Sequence, residues 1–133
     1  MKRVFVLTAF LLVFALALPA SSATWRTYGA VRSDRGAPAI LGGTAKSTTD
    51  IQLGLYSYSK GRYIQWDADF TCWRGSNYTS RSKSGKKWVP ANTWRYITIR
   101  DASSQSDECD VGGFAYPANI SDTGSIRLAI RVK

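Results

Sequence analysis

Tyr63-Ile64-Gln65-Trp66-Asp67-Ala68-Asp69-Phe70-Thr71-Cys72 decides the fold. Ile64, Trp66, Ala68, Phe70 and Cys72 alternate with Tyr63, Gln65, Asp67, Asp69 and Thr71. A period of two puts the first set on one side of an extended strand and the second on the other. One side is dry and the other wet, as in an antiparallel sheet covering a core.

The same pattern recurs on both sides of this stretch. Ile51, Leu53 and Leu55 alternate with Gln52, Gly54 and Tyr56, and Ser59-Lys60-Gly61 separates them from the central strand. That arrangement predicts a β-hairpin. Ile126, Leu128, Ile130 and Val132 alternate with Arg127, Ala129, Arg131 and Lys133, predicting a third strand. Trp94 to Arg100, Val111 to Tyr116 and Thr27 to Arg32 predict three more. Residues 33–50 and 74–87 are rich in Gly, Ser, Thr and Lys and read as long loops. No window holds a helical period. The expectation is an all-β chain, a small antiparallel β-sandwich formed by one domain.

An immunoglobulin-like architecture is one form of such a sandwich, but the landmarks differ. Trp66 precedes Cys72 on the same strand, where immunoglobulin domains place the core Trp after the first Cys. Asp107 stands two residues before Cys109, where they carry Tyr.

The first 23 residues read differently from the rest. Lys2 and Arg3 precede an uncharged run from Val4 to Leu18, and Pro19 and Ser21-Ser22-Ala23 follow it. This is the pattern of a secretory signal peptide cut after Ala23, and the run is short for a membrane span. The exported domain is then residues 24–133, with no transmembrane segment. Without Lys2 and Arg3, 16 basic residues face nine acids, a net charge of +7. Cys72 and Cys109 are the only cysteines, and in an exported chain they are expected to form a disulfide. Asn77-Tyr78-Thr79 and Asn119-Ile120-Ser121 fit the glycosylation sequon, which matters only in a eukaryotic secretory pathway.

The composition argues against an enzyme. The chain has no His, the commonest general base and metal ligand. Paired cysteines remove thiolate chemistry and thiolate metal sites. Ser57/Lys60, Ser80/Lys83 and Ser84/Lys87 have the Ser-x-x-Lys spacing but lie in turn-rich sequence, away from the helix that this chemistry requires. Asp67 and Asp69 share a strand side and read as solubilising charges before they read as a glycosidase pair. The run Asp107-Glu108-Cys109-Asp110 lacks calcium-loop spacing and reads as an exposed turn balancing basic neighbours such as Arg74. No metal or cofactor is expected.

The segment from Phe70 to Arg100 carries no acid. It holds Arg74, Arg81, Lys83, Lys86, Lys87, Arg95 and Arg100, interleaved with Trp73, Tyr78, Trp88, Trp94 and Tyr96. A basic stretch with aromatics attracts a polyanion by charge and holds it by stacking. The plainer reading is a solubilising loop with aromatics in the core. The functional candidates are Trp73, Arg74, Arg81, Lys83, Lys86, Lys87, Trp88, Trp94, Arg95 and Tyr96. The expected partner is an anionic cell-surface or extracellular polymer, with nucleic acid less favoured. Trp73 and Trp88 are the expected exposed pair.

Trp94-Arg95-Tyr96 resembles the Trp-Arg-Tyr motif of the secreted α-amylase inhibitors of the tendamistat type, small β-sandwiches with two disulfides where this chain has one. The resemblance covers three residues. It implies a second function, that of a secreted inhibitor or antibacterial antagonist, with these side chains entering the cleft of a target protein.

Overall fold

Eight strands form because extended segments with one apolar side can bury that side against each other. A computed structural model describes residues 24–102 and 104–133. The expected signal peptide and its cleavage point lie outside the described residues. The strands are β1 (Arg26–Ser33), β2 (Ala39–Thr48), β3 (Ile51–Ser57), β4 (Arg62–Arg74), β5 (Asn77–Val89), β6 (Trp94–Arg100), β7 (Ser106–Pro117) and β8 (Ile126–Val132). The chain is all-β, with two antiparallel four-stranded sheets packed together. The first sheet has the order β1-β8-β3-β6 and the second β2-β7-β4-β5. Among the described residues no helix is long and apolar enough to cross a membrane.

This strand order is that of an eight-stranded jelly roll, in which consecutive strands mostly alternate between sheets. It differs in connectivity from the immunoglobulin sandwich, and by itself it assigns no function.

The core lies where the sequence places the dry sides. Ile51, Leu53 and Leu55 of β3 and Ile126, Leu128 and Ile130 of β8 are buried from the first sheet. Ile64, Trp66, Ala68 and Phe70 of β4, with Val111 and Ala115 of β7, meet them from the second. Cys72 and Cys109 are directly opposed in the β4–β7 ladder, with Cα atoms 4.1 Å apart. The expected disulfide therefore exists and joins neighbours within one sheet. It does not clamp the two sheets to each other.

Four expectations need correction. The segments on either side of Ser59-Lys60-Gly61 are not a hairpin: β3 pairs with β6 and β8, and β4 pairs with β5 and β7. Their dry sides face each other across the core. The buried Arg62 guanidinium pins the crossing, donating to Ser57 Oγ at 2.7 Å and to the Ser125 carbonyl at 2.9 Å. Residues 74–87 are not a loop. They turn at Gly75, whose φ of 61° suits a residue without Cβ, and then enter β5. That strand pairs with β4 one to one from Arg74↔Asn77 to Arg62↔Val89. Residues 33–50 likewise contain β2, which pairs with β7. The acidic run 107–110 lies in β7 and is not a turn. Its Asp107 carboxylate accepts the Gly75 amide at 2.8 Å, and Asp110 accepts the Thr44 hydroxyl at 2.8 Å. Neither answers Arg74.

Candidate functional site

The outer face of the first sheet is set by register. With Ile51, Leu53 and Leu55 pointing inward, Gln52, Gly54 and Tyr56 point outward. Thr98, Tyr96 and Trp94 lie beside them on β6, and Arg131, Ala129 and Arg127 on β8. Arg32 of β1 continues the Arg127 row.

The outward side chains form one connected series. Arg131 lies 4.7 Å from the ring centre of Trp25 and 3.4 Å from that of Tyr96. Tyr96 stacks on Trp94 with centres 6.0 Å apart and planes 14° from parallel. Trp94 meets Tyr56 at 5.3 Å, Tyr56 meets Tyr58 at 4.8 Å, and Arg32 lies 4.2 Å over Tyr58. Arg127 approaches the Trp94 ring at 5.8 Å. Guanidinium planes and aromatic faces attract through the ring quadrupole, so these side chains hold one another in place before any ligand arrives. The Arg131 Nε donates to Gln52 Oε1 at 2.7 Å, which fixes the plane of its guanidinium.

Gly54 makes this layer possible. A Cβ there would lie 2.9 Å from Tyr96 Cε1 and 3.2 Å from Trp94 Cε3, so any larger residue lifts both rings off the sheet.

None of the four strands of this sheet contains Asp or Glu, whereas they carry six arginines. Asp34 stands at the rim, and its Oδ1 accepts from Ser125 Oγ at 2.6 Å and from Arg32 Nε at 2.9 Å. The Ser125 hydroxyl and then the Arg32 guanidinium hold its carboxyl below the ordinary aspartate value.

The outer face of the second sheet is different. Tyr63, Gln65, Asp67, Asp69, Thr71 and Trp73 of β4 face solvent there, flanked by Trp88, Lys86 and the serines of β5. Tyr116, Phe114, Gly112, Asp110 and Glu108 lie beside them on β7. One end is aromatic, with Tyr63 against Trp88 at 5.0 Å and Phe114 stacked on Tyr116 at 6.1 Å. Towards the middle, Gly42 pairs with Gly112 and leaves a trough of about 340 Å³ bordered by Asp69, Thr71, Thr44 and Asp110. Among the described residues, no three His, Cys, Asp or Glu side chains converge on a metal-sized site.

The candidates from the basic stretch are dispersed over three surfaces. Trp73, Lys86 and Trp88 lie on the outer face of the second sheet, with Trp73 and Trp88 at opposite ends of the β4–β5 ladder. Trp88 is half-exposed and Trp73 less so. Trp94 and Tyr96 lie on the outer face of the first sheet. Arg81, Lys83 and Lys87 pair with the inward-facing Phe70, Ala68 and Ile64, so they point to the core side of β5. They reach solvent because β5 is an edge strand. Arg95 pairs with the buried Leu55 and also points to the core side of its edge strand. Arg74 precedes the β4–β5 turn. Arg100 is engaged structurally, donating to the Thr48 carbonyl at 2.9 Å and to Ser106 Oγ at 2.7 Å, and burial lowers its pKa.

Two motifs change meaning on strands. Trp94 and Tyr96 point one way and Arg95 the other, so the tripeptide does not present three neighbouring side chains on one face. Ser80/Lys83 and Ser84/Lys87, three apart on β5, point to opposite sides of the sheet. Ser57 Oγ donates to the Lys60 carbonyl at 2.6 Å and is buried.

Sequence reasoning missed Trp25, Arg32, Tyr56, Tyr58, Arg127 and Arg131. The signal was present in the wet positions of β3 and β8, read together as neighbouring strands.

No family model and no curated protein matches this chain. Two solved structures align with it over 84% of its length: a T13 IBDV viral particle, at TM-score 0.38 and 11% identity, and infectious bursal disease virus Gx strain, at TM-score 0.37 and 13% identity. The chain spans about a third of the length of those chains, 32% and 34% respectively. At these scores the likeness carries no argument about function.

Proposed function

We propose that this protein is a secreted, non-enzymatic binding domain that holds an anionic extracellular polymer on the outer face of its first sheet. The observation that carries this reading is the unbroken arginine–aromatic series from Trp25 to Arg32 on a sheet whose strands contain no acid. Arg131 and Arg127 supply fixed positive charge, and Tyr96 and Trp94 supply flat surface for sugar rings or other apolar backbone segments. Because the side chains are already stacked, little conformational entropy remains to be lost on binding. The contact surface thus moves from the stretch 73–96 to a face that retains only Trp94 and Tyr96 of the original candidates. The disulfide is compatible with an extracellular location.

The test is retention on an immobilised uronic-acid polysaccharide across a salt gradient. Arg127→Glu and Tyr96→Ala each weaken binding by about tenfold, equivalent to about 1.4 kcal/mol. The wild-type protein elutes earlier as salt screens the charges. Retention that ignores both substitutions and responds to Lys83→Glu with Lys87→Glu would move the site to the β5 edge. Retention that ignores all of them removes the reading.

A further inference from the structure

The acids carried by the strands of this chain are sorted by sheet. Five of the nine acids lie in strands, and all five are in the second sheet: Asp67, Asp69, Asp107, Glu108 and Asp110. Four of these, Asp67, Asp69, Glu108 and Asp110, point out of its outer face. The protein has twice as many basic residues as acidic ones, yet the ion pairs among the described residues are Arg32–Asp34 and Arg62–Asp122. Asp67, Asp69 and Glu108 form no side-chain hydrogen bond or ion pair among the described residues. These four carboxylates outnumber the cations on their face and repel one another. Two lysines share this face, Lys46 beside Glu108 and Lys86 over the Tyr63 ring, and among the described residues neither forms an ion pair with them. The outward-facing arginines Arg32, Arg127 and Arg131 are on the opposite side of the molecule.

From this we propose that copies of the chain associate head to tail, the arginine–aromatic face of one seated on the acidic face of the next. Arg127 and Arg131 then stand opposite Asp67, Asp69 and Asp110. The stacked Trp94 and Tyr96 meet the exposed Tyr63, Phe114 and Tyr116. Each face offers what the other is short of: arginines against carboxylates, and apolar surface against rings. The two faces lie on opposite sides of the sandwich, so the contact does not close on itself. A dimer leaves one face of each kind free, and addition continues. A four-stranded face measures about 19 Å across by about 23 Å along the strands, which places the contact at the small, transient end of protein interfaces. The association is therefore weak, concentration-dependent and sensitive to salt. It does not depend on the polymer reading, but both use the same arginine–aromatic face, and a polymer bound there displaces the neighbouring copy.

Sedimentation velocity of the oxidised protein tests this, at about 20 mM and about 500 mM salt. The expected result is an average sedimentation coefficient that rises with protein concentration at low salt and stays at the monomer value at high salt. Asp67→Lys with Asp69→Lys removes outward-facing carboxylates that hold nothing in place, so this variant folds, and it stays monomeric. Arg127→Glu also stays monomeric. An equimolar mixture of the two forms dimers and stops there, because one variant retains the basic face and the other the acidic one. A wild-type protein that is monomeric at low salt at every concentration overturns the proposal. So does association that survives both substitutions, or a mixture that remains monomeric.

Discussion

Arg62 holds Asp122 at 3.0 Å in the interior, guanidinium Nε to carboxylate Oδ2, with the arginine side chain only 5% exposed. The other carboxylate oxygen accepts the Gly124 amide at 2.8 Å. The pair ties the start of β4 to the segment leading into β8. Burial alone raises the Asp122 carboxyl, but the Gly124 amide and the Arg62 guanidinium outweigh it and leave the group below its usual value.

Asp122→Asn leaves a buried guanidinium without its counter-charge. The expected cost is about 3 kcal/mol, seen as a fall in Tm of roughly 10 °C or more. The pH dependence has a defined sign. A carboxyl depressed in the folded state stabilises fully above its unfolded value, near about 3.9, and loses that contribution as pH falls through the folded value. The stability gap between wild type and Asp122→Asn therefore narrows below about pH 4. A gap that stays constant from neutral pH to that region would show that the ionised carboxylate contributes nothing.

Replacing Cys72 and Cys109 together by Ala should lower stability without changing the fold. The bridge closes a separation of 37 residues. The chain-entropy treatment gives about 4 kcal/mol for such a loop, with measured losses of about 2–5 kcal/mol. The β4–β7 ladder specifies the same pairing without the bridge, so far-UV circular dichroism stays constant while the urea midpoint falls. Both sulfurs are buried, so a reductant acts only as fast as the protein opens.

The β5 edge should aggregate when its inward-pointing cations are removed. Arg81, Lys83 and Lys87 occupy the core side of a 13-residue edge strand, where a second strand would have to bury them in order to pair. Such charges block edge-to-edge association. Arg81→Val with Lys83→Val is expected to give rising light scattering and thioflavin binding under conditions where the wild type remains clear. A variant that stays clear would assign the protection of this edge to another feature.

Coupling measurements should separate the neighbours within the tripeptide. Trp94 and Tyr96 stack on one face, so their double-mutant cycle is expected to give about 0.5–1.5 kcal/mol. Trp94 and Arg95 point to opposite sides, and their alanine substitutions add. Gly54→Val acts on the same pair from beneath. It lifts both rings and costs about 1–3 kcal/mol of stability, and it should quench or shift the tryptophan emission.

Much of this fold was legible where a strand covers the core. Ile64 to Cys72 and Ile126 to Val132 must alternate, because one side of each is buried and the other is not. Alternation does not name a partner, and so β3 and β4 looked like a hairpin although they belong to opposite sheets. β5 was illegible for a different reason. Its existence rests on main-chain pairing with β4, and as an edge strand it needs no apolar side, so Thr79 to Lys87 shows only Ser, Thr, Gly and cations. The candidate surface was harder still. Arg131, Gln52 and Tyr96 are far apart in the chain, and only the order β8-β3-β6 makes them neighbours. Trp73 and Trp88 suggested a shared loop, whereas the extended hairpin sets them at its two ends.

Arg26, at the start of β1, lies opposite Val132, at the end of β8. Both ends of the described chain therefore leave from one corner of one sheet. Tension applied between them separates β1 from β8 one residue pair at a time, a zipper that yields at low force. Further extension draws β8 off β3 and β2 off β7, and the sulfur link caps the stretch by keeping the segment between Cys72 and Cys109, β5 and β6 included, out of the loaded path. A partner tethered at either end would thus unravel the arginine–aromatic surface first and release whatever it holds, while the looped segment closed by the two sulfurs is spared as the seed for recovery.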